Sequence, residues 1–404
     1  MSALRTLPSP PFELSEPSSS EPTASQSSPS EPSAPPSTPL SASHIIASAT
    51  GDELLCEGNL AYTRLLREQS ESARSYFQFF NGAYPLDFRH GTLHFVDVGK
   101  NCIHHYHYAT KQLTTDHYDA CIGSIALRKN HPGFIAGTTR GFALLPPADP
   151  SRPSSSSEPL AIGPHVIGSN PLADPASYAE SPEQPNRMFN DGVCDGSGRF
   201  FCGSKTVRGE PFLEQRQPGK VYRVEKGGNE EWRIEQVLAG FTIPNGMGIT
   251  SDLKTMYISD TRAPHVRAYD YEDSTGTLSA ERVWVTTPYD ARPDGMCLDD
   301  QDRVYVAKWS GAKVTRYLPD GTPDLEIVFP TANNITAPVF GGPDMDIMFA
   351  TSGSLNEAGE DTDAEKVAKY TAAGSVFTVQ LHMYGEKGLH ICVRRGFNRR
   401  RGHR

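Results

Sequence analysis

Three short polar motifs are the parts of this chain best suited to bind a small ligand. They are Asn-Asp-Gly at 190–192, Pro-Asn-Gly at 244–246 and Pro-Asp-Gly at 293–295. Each motif alone is a good turn, because Asn, Asp and Gly tolerate a positive φ. Each also comes just before a strand-like run, so equivalent places in successive repeats would let the three converge. Their amide and carboxylate oxygens suit a hard divalent cation such as calcium or magnesium, and also manganese.

The motifs belong to a pattern that recurs about six times, at spacings of roughly 40 to 70 residues. In each copy a turn leads into a short β-rich run, and a polar turn then leads into a second strand. The first runs lie at 93–97, 133–137, 199–203, 256–260, 304–308 and 347–351, and their partners at 103–108, 142–145, 221–224, 266–271, 314–318 and 376–379. This period predicts an all-β fold, a six-bladed β-propeller.

Composition divides the chain around that repeat. Residues 1–43 are rich in Ser and Pro, which predicts a disordered tail, because such a segment buries too little apolar surface to fold. The propeller is expected over 44–380, and a second Ser/Pro stretch at 146–185 is expected to be a long surface loop. Residues 381–404 end in a cluster of arginines, which we interpret as a solvated basic tail.

The bulk properties limit the classes of function. A net charge of −10 argues against nucleic acid as a partner. No apolar run is long enough to span a membrane, and no basic-then-apolar leader precedes the domain. The seven cysteines form no CxxC pair, and the odd count fits a reducing compartment. We therefore expect a cytoplasmic monomer that binds a small molecule, without membrane or nucleic-acid partners.

The motifs, read with their neighbours, resemble the signatures of the gluconolactonase/regucalcin family. Asn-Asp-Gly-Val-Cys-Asp-Gly-Ser-Gly-Arg-Phe at 190–200 resembles the first signature, 244–260 the second and 292–299 the third. The run at 91–97 matches the first blade of the family. The resemblance extends from about residue 85 to about residue 380. It implies a six-bladed propeller that uses a divalent metal ion to hydrolyse sugar lactones.

The resemblance also assigns roles to individual residues. It implies Asn245 and Asp294 as metal ligands, Asp294 as the general base and Asn190 as a substrate contact. The arginine of the family lies two residues before that asparagine, where this chain has Met188. Arg187, displaced by one residue, is the candidate substitute for binding substrate.

The third metal ligand of the family is the glutamate of a Gly-Glu-Gly-Pro motif before the first strand. Here Cys-Glu-Gly at 56–58 supplies one half of this motif and Pro85 the other. If 59–84 were removed, Glu57 would join Pro85 and become the third ligand. Two interpretations of 59–84 stay open, a true insertion and translated non-coding sequence. Its apolar spacing predicts a weak amphipathic helix from about Leu60 to about Phe80.

The sequence thus predicts hydrolysis of aldonolactones to aldonic acids with one divalent cation, which is Ca, Zn, Mg or Mn. Two alternatives stay open: a calcium-binding or scaffold propeller without turnover, and a propeller esterase that acts on other esters. Three histidines, His104, His105 and His107, share one predicted strand. The sequence pattern gives them no carboxylate partner, so we do not expect them to bind a metal.

Overall fold

A computed structural model describes part of the chain, all of it within Ala42–Arg404. The described residues are 45–48, 63–67, 91–107, 110–128, 131–149, 151, 159–163, 187–206, 219–227, 231–341, 347–355, 364–383 and 389–392. The expected tail at 1–43, most of the 146–185 loop and most of the basic C-terminal segment lie outside these residues.

The described residues are mostly β-strands. These are β1 Ile45–Ser48, β2 Thr63–Arg67, β3 Thr92–Asp97, β4 Cys102–His107, β5 Gln112–His117, β6 Ile122–Leu127, β7 Phe134–Thr138, β8 Gly141–Leu145, β9 Arg187–Cys194, β10 Phe200–Thr206, β11 Gly219–Lys226, β12 Trp232–Phe241, β13 Pro244–Ile249, β14 Thr255–Asp260, β15 His265–Glu272, β16 Thr277–Thr286, β17 Arg292–Leu298, β18 Val304–Trp309, β19 Lys313–Tyr317, β20 Pro323–Val328, β21 Asn334–Gly341, β22 Ile347–Gly353, β23 Val376–Met383 and β24 Leu389–Cys392. A 3-10 turn covers Tyr289–Ala291, and the short helix α1 covers Ala364–Lys369. No helix in the described part is long and apolar enough to cross a membrane.

The strands form six sheets, which we number as blades 1 to 6 in chain order. Blade 1 is β2–β5, blade 2 is β6–β8, blade 3 is β9–β12, blade 4 is β13–β16, blade 5 is β17–β20 and blade 6 is β21–β24. Within each blade, successive strands are antiparallel, and β1 adds a parallel edge to β20 in blade 5.

The first strand of every blade is its innermost strand. Each innermost strand contacts the innermost strand of the next blade, and β21 of blade 6 contacts β2 of blade 1. This ring of contacts confirms the six-bladed propeller.

Apolar side chains fill the space between neighbouring sheets. Phe189 and Phe200 of blade 3 join a cluster shared with blades 1 and 2, and Phe95 packs with Phe349 where blade 6 meets blade 1. The middle strands are buried on both faces because each sheet has a neighbour on either side. Burial of one such phenylalanine stabilises the fold by about 1.5–3 kcal/mol. The outer strand β16 is mostly exposed, as the edge of a blade should be.

The predicted strand pairs are confirmed in all six blades, but the helix predicted in the N-terminal segment is wrong over the residues described there. Thr63–Arg67 form β2, which pairs antiparallel with β3 and places Leu65 opposite Phe95. Strand β2 is the innermost strand of blade 1, and deletion of 59–84 would remove it. Pairing with an existing strand gives β2 its hydrogen bonds, a tertiary effect that outweighs weak local helix preference.

The innermost strands approach one another so closely that glycine is required at the contacts. A Cβ on Gly246 of β13 would lie 2.5 Å from Met296 N and 2.6 Å from Asp294 O of β17. A Cβ on Gly295 would lie 2.6 Å from Thr336 O of β21. Because these neighbours are backbone atoms in a closed ring, they cannot rotate away.

We therefore expect Gly246→Ala to lower the free energy of unfolding by about 1–3 kcal/mol, the usual cost of overpacking. Denaturant unfolding measures this loss. Gly248→Ala, on the same strand, is the matched control, since its Cβ would meet side chains and no backbone: Leu298 Cδ1 at 2.3 Å and Met296 Sδ at an ordinary contact distance of 3.6 Å. Equal stability of the two variants would contradict a requirement for glycine at the ring.

Candidate functional site

The three polar motifs are not turns, as their residues alone suggest, but parts of the innermost strands β9, β13 and β17. Each contains a β-bulge. Residues 245–246 face a single residue of β14, 294–295 face one of β18, and 190–191 face one of β10. A bulge bends its strand and re-aims a side chain. The same type of bulge therefore places Asn190, Asn245 and Asp294 at equivalent positions in three successive blades.

Hydrogen bonds tie each motif to the next one around the ring. The Asn190 Nδ2 donates to Pro244 O at 2.9 Å, which links blade 3 to blade 4. The Asn245 Nδ2 donates to Thr261 Oγ1 at 2.9 Å, and that hydroxyl donates to Pro293 O at 2.8 Å, which links blade 4 to blade 5. Both amides thus bond, directly or through one hydroxyl, to the proline carbonyl before the next motif residue.

This arrangement fixes which atom of each amide is engaged within the ring and which atom faces away from that bond. An asparagine has donor hydrogens only on its nitrogen and lone pairs only on its oxygen. Because the nitrogen of Asn245 is directed to Thr261, its Oδ1 points away from Thr261, at the opposite edge of the same planar amide group. The same holds for Asn190, whose nitrogen is directed to Pro244.

Asp294 supplies the carboxylate of the group. It lies near the start of β17, directly after Pro293, and its side chain belongs to a residue that is 4% exposed. Asn190 is 2% exposed and Asn245 is 5% exposed. Three oxygen-bearing side chains at equivalent bulges of adjacent strands can offer hard donors to a divalent cation or hydrogen bonds to a polar ligand.

Of the other two candidates, the structure describes only Arg187. Arg187 is the first residue of β9 and lies three residues before Asn190. It is 5% exposed and pairs in register with Thr206 of β10. It is therefore buried on the same innermost strand as Asn190. Glu57 lies outside the described residues.

The remaining polar residues of the first signature have a structural role. Asp195 accepts hydrogen bonds from the backbone N of Arg199 at 2.9 Å and from Tyr271 OH at 2.7 Å, and its carboxylate pairs with the Arg199 guanidinium. Burial, helped by the hydrogen bond to Asp195, raises the pKa of Tyr271, so the phenol stays a donor. This group closes the turn between β9 and β10 and ties it to β15 of blade 4.

The expectation that the strand histidines lack carboxylate partners is wrong for two of them. His105 Nε2 lies 3.4 Å from Asp116 Oδ2, and its Nδ1 is 2.6 Å from His94 Nδ1. On the other face, His104 groups with Asp97 and Cys102, and the ligand atoms of the three lie within 4.8 Å of one another. Cross-strand register brings these residues together, and no spacing within one strand shows it.

Burial dominates the electrostatics of His104. Together with the nearby positive charge of Lys100, it lowers the pKa of His104 to about 3. The imidazole is therefore neutral at pH 7. One of its nitrogens then carries a lone pair, which is the form that binds metal ions.

The family of the chain follows from its sequence match. Residues 85–354 match the family described as the SMP-30/gluconolactonase/LRE-like region. The chain belongs to this family. The match includes all three motifs and the Asp97–His104 region, and it begins after Glu57.

Curated relatives in this family carry two kinds of name. A pentonolactonase of Haloferax volcanii is 33% identical over 221 residues, which are 53% of this chain and 69% of that protein. The regucalcin of Xenopus laevis is 29% identical over 265 residues, which are 65% of this chain and 80% of that protein.

Solved structures agree with the fold. A calcium-binding protein, regucalcin, from Agrobacterium tumefaciens superposes with a TM-score of 0.59 at 19% identity, over 83% of this chain and 95% of that chain. A luciferin-regenerating enzyme gives 0.58 at 23% identity, over 83% and 97%. At these identities the likeness supports the propeller architecture alone.

The hydrogen-bond relay through Thr261 makes a testable prediction about ligand binding. Thr261→Val keeps the side-chain shape but removes the hydroxyl that orients the Asn245 amide. We expect its affinity for a divalent cation, measured by isothermal titration calorimetry, to fall by about 10- to 100-fold, as for other residues that orient a ligand. Thr261→Ser retains the hydroxyl and should bind as the parent does. An affinity of Thr261→Val equal to that of the parent would show that the relay does not orient Asn245.

Proposed function

We propose that this protein is a divalent-metal-dependent lactonase that hydrolyses sugar lactones to aldonic acids. The observation that carries the proposal is the set of bulges that present Asn190, Asn245 and Asp294 at equivalent places on adjacent innermost strands. Membership of the SMP-30/gluconolactonase/LRE-like family and the similarity to a pentonolactonase support the same reaction.

The donor set fits a hard or borderline cation. Asp294 offers a carboxylate, and the Asn245 amide offers its oxygen because its nitrogen is bonded to Thr261. With Glu57 as the third ligand, the site would carry two negative charges against one divalent ion, which is Ca, Zn, Mg or Mn. A bound cation supplies Lewis-acid stabilisation of the oxyanion that develops on the lactone carbonyl.

The other steps belong to side chains of this chain. Asp294 acts as the general base and takes a proton from the water that attacks the ring carbonyl. Asn190 and Arg187 orient the sugar hydroxyls, and burial of both residues limits the water around them. The ring C–O bond breaks, and the leaving ring oxygen takes the proton that Asp294 removed from the water, which makes it a hydroxyl of the aldonic acid and returns Asp294 to its carboxylate form. No covalent intermediate is needed.

Binding without turnover is the competing function. The solved relative from Agrobacterium tumefaciens is described as a calcium-binding protein. In this chain Met188 stands where the arginine of the family is expected, and Arg187 lies one position away. A panel of aldonolactones and simple esters, assayed with and without chelator, separates a lactonase from a binding propeller and from an esterase of broader range.

Asp294→Asn tests the chemistry. The substitution keeps the shape but removes the base and one anionic ligand, so we expect lactone turnover to fall by at least about 100-fold. Titration of the acid that is released, at a saturating concentration of metal, measures the turnover. Asp290→Asn, on the exposed turn before β17, is the matched control and should retain activity. Near-normal turnover by folded, metal-loaded Asp294→Asn would eliminate Asp294 as the base.

Glu57→Gln tests the third ligand in the full chain. We expect the affinity for the divalent cation to fall, because a neutral amide replaces an anionic ligand. Calorimetric titration of Glu57→Gln beside Glu53→Gln, a neighbouring carboxylate, gives the comparison. If both variants bind as the parent does, another residue supplies the third ligand, and Asn245 and Asp294 keep their proposed roles.

A further inference from the structure

Blades 1 and 4 carry the same buried carboxylate at the end of their second strand. In blade 4, Asp260 ends β14 and is fully buried. It accepts hydrogen bonds from the backbone N of Thr242 and of Ile243, each at 2.9 Å, and from the Arg267 guanidinium at 3.2 Å. The charge of Asp260 is thus paired with a permanently charged arginine.

Blade 1 has an aspartate at the same position as blade 4, but the side chain beside it on the third strand is different. Asp97 ends β3 and pairs in register with Cys102, as Asp260 pairs with His265. Two residues further along the third strand, His104 stands where Arg267 stands in blade 4. A guanidinium has no lone pair to offer, whereas an imidazole nitrogen has one. Blade 1 therefore has an imidazole in place of the guanidinium, beside Cys102 and Asp97, and its aspartate pairs instead with the Lys100 ammonium at 3.6 Å.

The distance between the sulfur and the nitrogen of this group fits a tetrahedral metal site. Cys102 Sγ lies 3.5 Å from His104 Nε2. Two tetrahedral ligands on one zinc ion, with Zn–S near 2.3 Å and Zn–N near 2.0–2.1 Å, are about 3.6 Å apart. The ligand atoms of Asp97, Cys102 and His104 all lie within 4.8 Å of one another, and all three residues are buried.

A fourth side chain orients the imidazole. His104 Nδ1 lies 2.9 Å from Thr115 Oγ1 on the neighbouring strand β5. The other ring nitrogen, Nε2, faces Cys102 Sγ. Metal-binding histidines characteristically hydrogen-bond through their second ring nitrogen, which fixes the tautomer and the ring plane.

We propose that Asp97, Cys102 and His104 form a second metal site, selective for a divalent transition metal of the zinc class. The thiol of Cys102 releases its proton to solvent as the metal–sulfur bond forms. The carboxylate and the thiolate then balance the two charges of the ion, and a water completes four ligands. Lys100, whose ammonium lies 3.6 Å from Asp97 Oδ2 on a half-exposed side chain, is displaced by the ion.

This site differs from the proposed lactonase site in its chemistry. Asn190, Asn245 and Asp294 offer only oxygen atoms, whereas the blade 1 site offers sulfur and nitrogen as well. Soft thiolate ligands select zinc-class ions over calcium and magnesium. A sulfur signal that disappears when Cys102 is substituted therefore reports on this site, whatever the outcome at the lactonase site.

Cobalt(II) titration of the chelator-treated full-length protein tests the proposal. We expect a thiolate-to-cobalt charge-transfer band in the parent and its loss in Cys102→Ser and in His104→Gln. Cys121→Ser is the matched control and should keep the band, since that thiol bonds to Val98 O at 3.3 Å outside the group. Absence of the band in the parent, or its persistence in Cys102→Ser, would overturn the proposal.

A second measurement needs no variant. The parent protein is saturated with calcium to fill the oxygen-donor site, loaded with one equivalent of zinc, and its zinc X-ray absorption spectrum is recorded. We expect one sulfur neighbour at about 2.3 Å and nitrogen or oxygen neighbours at about 2.0–2.2 Å. A zinc shell made only of nitrogen and oxygen would show that Cys102 is no ligand.

Discussion

The close approach of the innermost strands is the constraint on which the rest of the structure depends. Gly246 lies against the backbone of β17, and Gly295 lies against that of β21, at distances that leave no room for a side chain. At the same level, the amide nitrogens of Asn190 and Asn245 are bonded toward Pro244 and Pro293. From blade 3 to blade 5, neighbouring innermost strands are thereby joined both by close backbone contact and by side-chain amides.

This arrangement joins stability to function. The amide donors that connect the blades also fix the direction of the opposite oxygens, so in the proposed function the same residues serve both roles. Away from the axis, apolar clusters between the sheets, such as that of Phe95 and Phe349, stabilise the blades. Two buried carboxylates there are paired with arginines, Asp195 with Arg199 and Asp260 with Arg267. At the end of β3, the blade 1 sheet replaces the arginine of such a pair by a histidine.

The sequence predicted the second and third strands of every blade well because these strands are short apolar runs bounded by turn residues. The innermost strands were harder to predict from the sequence. Their Asn-Gly and Asp-Gly pairs are typical of turns, and only the register reveals that they are bulges within strands. Strand β2 was missed because Leu65 and Leu66 also fit a helix, and its pairing with β3 is a long-range contact.

The site residues also divide into those that the sequence could identify and those that it could not. Asn245 and Asp294 could be found from recurring motifs, since equivalent positions in repeated blades must meet near one axis. Asp97, Cys102 and His104 could not be grouped in this way, because a hairpin pairing brings them together. The comparison of blade 1 with blade 4 became possible only once the register showed that His104 and Arg267 occupy equivalent positions.

The central claim is that the bulges of successive innermost strands direct their oxygens at one ion. The most direct test is a crystal structure from crystals soaked in manganese. Anomalous scattering recorded at the manganese edge then locates the ion. The account predicts an anomalous peak at about 2.0–2.6 Å from Asn245 Oδ1 and from an Asp294 carboxylate oxygen. Manganese bound elsewhere, with neither of these oxygens in its coordination shell, would contradict it.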